Sequence, residues 1–183
     1  MAQHTLSVLV ENSPGVLARV AGLFSRRGYN IDSLAVGPTE DPKVSRMTIV
    51  LNLEGHALDQ VSAQLFKLVN VIGIQEMKDS DTRQRELAFV KIATERGKLE
   101  PLLAGYQAEI VEEKSGTSIV QVVANNKDLV ALLKRLESLG IKELVQSGAI
   151  AIELGSQTLV EQTALETGLA SSDTQSQLED YQN

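Results

Sequence analysis

The sequence predicts an α+β protein built from two ferredoxin-like domains in tandem, each with the order β-α-β-β-α-β. Apolar side chains alternate in short segments, and apolar stripes at helical spacing lie between those segments. The same order then repeats after a polar break. We expect residues 1–78 to form the first domain, 79–85 a linker and 86–155 the second domain. Residues 156–183 are expected to form an acidic, largely disordered tail, the alternative being a docking helix that folds on a partner.

The first domain has the clearer pattern. Alternation predicts a strand over residues 5–11, and a helical stripe follows from Val16 to Phe24. Ser13 suits the N-cap of this helix and Gly28 its C-cap. The remaining elements are expected at residues 30–37 (strand), 46–53 (strand), 58–68 (helix) and 71–77 (strand).

The second domain repeats the order with weaker signals. A strand at residues 87–93 precedes a short helix at 98–103, in which Pro101 disfavours the first turn. A hairpin and a second helix follow, and alternation of Ile150, Ile152 and Leu154 predicts the last strand. With both helices on one side, each sheet is expected to leave its other face open. Domains of about 75 residues are marginal alone, so we expect dimerisation.

Composition excludes several classes. The net charge is −7, and five of the acidic residues lie in 155–183, where no Lys or Arg occurs, so the folded part is close to neutral. A nucleic-acid-binding protein is expected to carry a basic patch, and none is indicated. The absence of cysteine excludes disulfides and thiolate metal sites. No signal or transit peptide is recognised, which favours a cytoplasmic protein.

The segment Asn12-Ser13-Pro14-Gly15 places a glycine where the first helix begins. Free backbone N–H groups there can hold a small anion such as an amino-acid carboxylate, and glycine lets a ligand approach the backbone closely. The same four residues also suit an ordinary turn and helix cap. No catalytic group is indicated nearby.

A family resemblance narrows this choice. The run VLVENSPGVLARVAGLFSRRGYNIDSLAVGPTEDPKVSRMTI resembles the ACT domain of the regulatory, small subunit of acetolactate synthase, also called acetohydroxyacid synthase. The specific pieces are Glu11-Asn12, FSRRGYNI at residues 24–31, and Ser45-Arg46-Met47-Thr48. The resemblance covers about residues 3–78, and residues 85–155 are similar to the family's second domain by pattern.

The resemblance implies a regulatory subunit without an active site of its own. Such a subunit binds a thiamine-diphosphate-dependent catalytic subunit, activates it and confers feedback inhibition by a branched-chain amino acid, usually valine. Allosteric control of this kind acts on valine, leucine and isoleucine biosynthesis. Thiamine diphosphate, Mg and FAD are expected only in the catalytic partner, and no cofactor or metal is expected in this chain.

The resemblance also implies which residues bind the effector, at an interface between two ACT domains of a homodimer. One domain would supply the first turn and the other the start of the second strand, which gives Asn12, Gly15, Val16 and Leu17 opposite Asn30 and Ile31. Amide side chains can orient an ammonium and a carboxylate, and the aliphatic side chains can line a small pocket. Pro14 is assigned only a shaping role.

Alternatives remain at this point. A stand-alone ACT-type amino-acid sensor regulating a different enzyme shares the general pattern. An RNA-recognition domain has the same order of elements, but it needs stacking aromatics that residues 46–53 lack. An acylphosphatase-type enzyme needs an arginine in residues 11–17, and none is there. A contact between loop 39–45 and the catalytic subunit is a further hypothesis.

Overall fold

The computed structural model describes residues 2–54, 57–78 and 80–166. It confirms the predicted fold class, because two units each contain a sheet in the order β-α-β-β-α-β. The first has β1 Ala2–Glu11, α1 Val16–Arg26, β2 Ser33–Pro38, β3 Val44–Leu53, α2 Ala57–Leu65 and β4 Val71–Glu76. The second has β5 Thr82–Ile92, α3 Arg96–Leu103, β6 Ala108–Lys114, β7 Thr117–Ala124, α4 Asn126–Leu136 and β8 Ile141–Gln146. Strand β9 Ile150–Glu153 and helix α5 Leu159–Glu166 follow, and α5 belongs to the first unit.

The first sheet has the strand order β2-β3-β1-β4. Strand β1 lies in the middle and pairs antiparallel with β3, from Ala2 opposite Leu53 to Glu11 opposite Val44. Its other edge pairs antiparallel with β4. The apolar residues that alternate along β1 and β3 are buried together with the stripe of α1, namely Leu6, Val8, Val10, Met47, Ile49, Leu51, Val16, Val20, Leu23 and Phe24.

The second sheet has the order β6-β7-β5-β8, and β9 also pairs with β5. Its aliphatic core draws on β5, β7, α3 and α4. Pro101 lies inside α3, and this helix still forms because Leu99 and Leu103 are buried on its inner face. The contribution of the core therefore exceeds the penalty for one lost backbone hydrogen bond.

Two boundary predictions for the second domain are wrong. Residues 82–85 belong to β5 and not to a linker, because the polar start of that strand pairs with an additional strand. The predicted last strand is this additional one, β9, whereas the strand that completes the domain is β8. Strand β8 was missed because most of its residues are exposed and its sequence does not alternate clearly.

The predicted disordered tail is wrong for its first part. Helix α5 begins with a capping box, in which the Thr158 N–H donates to Glu161 Oε2 at 2.7 Å and the Glu161 N–H donates to Thr158 Oγ1 at 3.2 Å. Leu159 and Thr163 are buried, and α5 packs on β4 where Gly73 leaves room for Thr163. Residues 167–183 of the predicted tail lie outside the described residues.

The same helix corrects the prediction of an open sheet face in the first domain. Thr5, Ser7 and Leu9 face away from the α1 side of β1, yet all three are buried. Gly73, opposite Leu9 in the sheet register, lies on this face, and a side chain added there would meet Thr163 of α5. The chain therefore covers part of this face with its own helix.

Candidate functional site

The turn from β1 to α1 ends on a left-handed glycine. Gly15 has φ +84° and ψ −8°, a conformation that glycine adopts without steric penalty. It is the N-cap of α1, so the prediction that Ser13 caps this helix is wrong: no side chain caps it. The first backbone bond within the helix runs from the Arg19 N–H to the Gly15 carbonyl at 3.0 Å.

Backbone donors are consequently available where α1 begins. The Val16 N–H makes only a long bond of 3.4 Å to the Ser13 carbonyl, and the next two N–H groups precede the first i to i−4 bond of the helix. The first turn carries no acidic side chain. A Cβ built on Gly15 would meet nothing within 4 Å. Donors, the positive end of the helix dipole and free space together suit a small anion.

Asn12 holds the neighbouring loop against this turn. Its backbone N–H donates to the Lys43 carbonyl at 2.7 Å, and its side-chain Nδ2 donates to the Pro42 carbonyl at 2.9 Å. These bonds leave the Oδ1 of Asn12 as an available acceptor. Loop 39–43 is thus part of the same surface as Gly15, because Asn12 links them.

The two aliphatic residues at the start of α1 behave differently. Val16 is only 3% exposed, so its side chain belongs to the core, and the group through which it would take its predicted part in effector binding is its backbone N–H. Leu17 is 44% exposed. It can therefore contact an apolar ligand or a second chain.

Asn30 and Ile31 lie in the loop between α1 and β2, because β2 starts at Ser33 and not at residue 30 as predicted. The Asn30 Nδ2 donates to Asp32 Oδ1 at 2.8 Å, and the Asn52 Nδ2 holds the other oxygen of Asp32 at 2.5 Å. Asp32 is thereby fixed, and the Oδ1 of Asn30 is left as an acceptor. An acceptor beside a carboxylate suits an ammonium group.

The two halves of the predicted site lie at opposite ends of one helix. Asn12, Gly15 and Leu17 are where α1 begins, whereas Asn30 and Ile31 follow its end. Eleven helical residues separate the two ends by about 16 Å. A single chain therefore cannot bring both halves to one small ligand.

Sequence reasoning missed three polar residues beside the turn. Asn70 donates from Nδ2 to Glu11 Oε2 at 2.5 Å, and its Oδ1 accepts from the Arg19 guanidinium at 2.6 Å. Arg19, four residues after Gly15, is on the helix face that follows the turn and could have been found by this spacing. Asn70 is distant in sequence and gave no such signal.

Within residues 2–54, 57–78 and 80–166, no group of three or more His, Asp or Glu side chains is arranged to hold a metal ion. His4 pairs through Nδ1 with Glu76 Oε1 at 2.7 Å. No helix in the described part of the chain is long and apolar enough to cross a membrane.

The order β-α-β-β-α-β in both halves of the chain defines the class of protein as a tandem of two ferredoxin-like domains, the first with a glycine turn leading into its first helix. Family models assign both halves. One, described as an AHAS small subunit-like ACT domain, matches residues 6–73. Another, described as the small subunit of acetolactate synthase, matches residues 85–155.

Known relatives agree with this assignment. The acetolactate synthase small subunit of Mycolicibacterium smegmatis is 46% identical over 155 residues, which is 83% of this chain and 91% of that protein. A probable acetolactate synthase small subunit of Methanothermobacter thermautotrophicus is 38% identical, over 85% of this chain and 95% of that one. The crystal structure of the Thermotoga maritima small subunit superposes with a TM-score of 0.77 at 27% identity, covering 86% of this chain and all of that one. This chain belongs to the family of acetolactate synthase small subunits.

Proposed function

We propose that this chain binds the catalytic subunit of acetolactate synthase, raises its activity and makes it subject to feedback inhibition by a branched-chain amino acid, with valine the expected effector. Thiamine diphosphate, Mg and FAD then belong to the catalytic partner, and this chain contributes regulation only. The alternative, a stand-alone sensor for another enzyme, is disfavoured because both halves of the chain match the same family.

The observation that carries this proposal is the uncapped start of α1. Backbone donors beside Gly15 bind the effector carboxylate, where the helix dipole and the lack of an acidic side chain in the first turn of α1 favour an anion. The space around Gly15 allows the ligand to approach the main chain. Leu17 and Ile31 then contact the aliphatic side chain, and Asn12 and Asn30 offer acceptors for the ammonium group.

The effector links two copies of the chain under this proposal. The start of α1 and the loop after its end are too far apart to share one amino acid within a single chain. A two-fold dimer would place Gly15 of one copy opposite Asn30 of the other, and it would do so twice. The effector then stabilises one arrangement of the dimer, because part of its binding energy depends on both chains being in place.

This arrangement provides a route to inhibition. An effector that binds one dimer arrangement better than another shifts the population towards it. Allosteric coupling is typically about 1–3 kcal/mol, which corresponds to roughly 5–150-fold effects on affinity. We propose that the valine-bound dimer holds the catalytic subunit in its less active state.

A reconstituted complex tests the proposal. Purified catalytic subunit is assayed for acetolactate formation with wild-type chain and with Gly15→Asp, at increasing valine concentration. We expect both chains to activate the enzyme and only the wild type to confer inhibition, because the new carboxylate occupies the position of the effector carboxylate. Asp is a suitable substitute, since Asn and Asp adopt positive φ more readily than other side chains.

Two results would contradict the proposal. Inhibition of the Gly15→Asp complex at the same low valine concentration as the wild type would show that the effector binds elsewhere. Failure of the wild-type chain to raise the activity of the catalytic subunit would remove the regulatory role itself.

A further inference from the structure

A second group of polar residues lies on the sheet face of the first domain that α5 covers. In the strand register, Ser7 of β1 is opposite Gln75 of β4, and the neighbouring Leu9 is opposite Arg46 of β3. Residues opposite each other in antiparallel strands, and residues two apart along a strand, project from the same face. Ser7, Gln75 and Arg46 therefore project together, away from α1.

A cavity of about 240 Å³ lies above these three residues. Its apolar wall includes Met77, Ile152 and Leu159, and the segment 155–158 before α5 completes it. All of its lining residues belong to the first compact unit. A cavity of this volume suits a ligand the size of a small metabolite.

Three polar side chains of this cavity have no partner among the described residues. Ser7 is 0% exposed, and its Oγ has no hydrogen-bond partner. Within the part of the chain that the structure describes, the Arg46 guanidinium forms no ion pair. The Gln75 side chain forms no hydrogen bond there. Buried polar groups in native proteins are nearly always paired, so an unpaired hydroxyl at a cavity indicates a missing partner.

We infer that this cavity binds a short aliphatic carboxylate of the amino-acid or keto-acid type. The Arg46 guanidinium pairs with the carboxylate, and the Ser7 hydroxyl donates to one of its oxygens. Met77, Ile152 and Leu159 enclose the aliphatic part. Glu40 and Glu153 also line the cavity, so a ligand with an ammonium group has acceptors there.

This site is distinct from the one proposed at Gly15. Gly15 begins α1, and Arg46, Ser7 and Gln75 belong to the face of the sheet that α5 covers. The segment that closes the cavity leads directly into α5. A bound ligand would therefore hold α5 against β4, and its binding does not depend on a dimer.

Binding of three probes to the full chain tests the inference. Isovalerate, 3-methyl-2-oxobutanoate and valine are titrated by calorimetry up to about 10 mM, which reaches the millimolar range of weak metabolite sites. The wild type is compared with Arg46→Gln and Ser7→Ala. Lys67→Gln is the matched control, because it removes one positive charge from an exposed residue outside the cavity. Circular dichroism checks that each variant is folded.

We expect saturable binding of isovalerate to the wild type and to Lys67→Gln, with an affinity lower by about tenfold or more in Arg46→Gln, as is typical when a hydrogen bond to a charged group is lost. Ser7→Ala should weaken isovalerate binding without lowering the melting temperature of the free protein, because its hydroxyl has no partner to lose. The keto acid and valine show whether the α-substituent is tolerated.

Several outcomes would overturn the inference. The inference fails if none of the three probes binds the wild type saturably. It also fails if isovalerate binds Arg46→Gln as tightly as it binds the wild type. Valine binding that is lost in Gly15→Asp and retained in Arg46→Gln, with no isovalerate binding, would also overturn it while leaving the proposed function intact. Conversely, Arg46-dependent isovalerate binding with no effect of Gly15→Asp on valine binding would support the inference and contradict the proposed function.

Discussion

The two domains share one order of elements, but their first helices begin differently. In the first domain, Gly15 caps α1 without any side chain, and its backbone donors are available. In the second domain, the first N–H of α3, that of Arg96, donates to the carboxylate of Glu113 at 3.3 Å. In the second domain, the carboxylate of Glu113 therefore occupies the start of the first helix. In the first domain the corresponding position is open, and for this reason we assign an effector to the first domain only.

Electrostatics reinforce this contrast. Glu113 also lies 4.0 Å from the Arg96 guanidinium, so its charge is partly compensated. The start of α1 is instead flanked by Arg19, which Asn70 orients. The same fold therefore carries different side chains beside the start of its first helix in the two domains, and our proposal of an effector site rests on that difference.

The largest expected effect comes from placing a carboxylate at each of these helix starts. We predict that Gly15→Asp weakens valine binding by about 100-fold or more, because like charges in contact cost several kcal/mol. Gly97→Asp, in the first turn of α3, should leave valine binding within about twofold, as at sites distant from a ligand. Gly97 has free space around it and no positive φ, so the protein should tolerate the control. Calorimetric titration with valine measures both, and equal weakening by both would contradict the contrast.

The packing of α5 gives the next largest effect. A Cβ on Gly73 would lie 2.3 Å from Thr163 Oγ1, so Gly73→Ala should lower the free energy of unfolding by about 1–3 kcal/mol, as is typical of overpacking. Gly22→Ala is the matched control: Gly22 lies within α1 with nothing near its Cβ position, and the change should stabilise by about 0.5–1 kcal/mol. Urea denaturation measures both. Equal stabilities for Gly73→Ala and the wild type would show that α5 does not pack on β4.

Helix capping gives a smaller difference. The Asn125 Oδ1 accepts from the Asp128 N–H at 2.8 Å at the start of α4, so Asn125→Ala should destabilise by about 1 kcal/mol. Ser13→Ala should change stability by less than about 0.5 kcal/mol, because Ser13 does not cap α1. Urea midpoints of the two variants test this. A larger loss for Ser13→Ala than for Asn125→Ala would contradict the assignment of Gly15 as an uncapped N-cap.

The smallest effect is a pH dependence in the second domain. Burial raises the pKa of Glu86, and the hydrogen bond from Gln146 only partly opposes it. The folded protein thus holds this proton more tightly than the unfolded chain, so stability falls as the pH rises through the range between the ordinary and the raised pKa. Glu86→Gln should be more stable than the wild type at neutral pH and should lose that advantage in acid. Denaturation curves from acid to neutral pH test the sign, and a constant difference between the proteins would contradict it.

The sequence predicted the fold well because the periodicity of its apolar residues shows directly which side chains are buried. The alternation in β1 and β3 and the stripe of α1 correspond to residues that are almost fully buried. The pattern failed where contacts distant in sequence decide the structure. Residues 82–85 are polar, but they form strand because β9 pairs with β5. Helix α5 packs on the first sheet because Gly73 admits Thr163.

For the same reason, sequence analysis found some features of the candidate site and missed others. Gly15 could be found from the local turn sequence, because positive φ is a local property. The burial of Val16, the bond from Asn52 to Asp32 and the network through Asn70 all depend on contacts between residues distant in sequence. The capping box of Thr158 and Glu161 was a local signal that the composition of the tail obscured.

The central claim is that two copies of this chain share each effector molecule, and complementation tests it most directly. Gly15→Asp and Asn30→Ala each damage one half of the site, and an equimolar mixture is allowed to exchange subunits before calorimetric titration with valine. In a two-fold dimer, the mixed species regains one intact site, so about one quarter of the wild-type number of sites should return at wild-type affinity. A mixture that binds valine no better than the two variants do separately would contradict the claim.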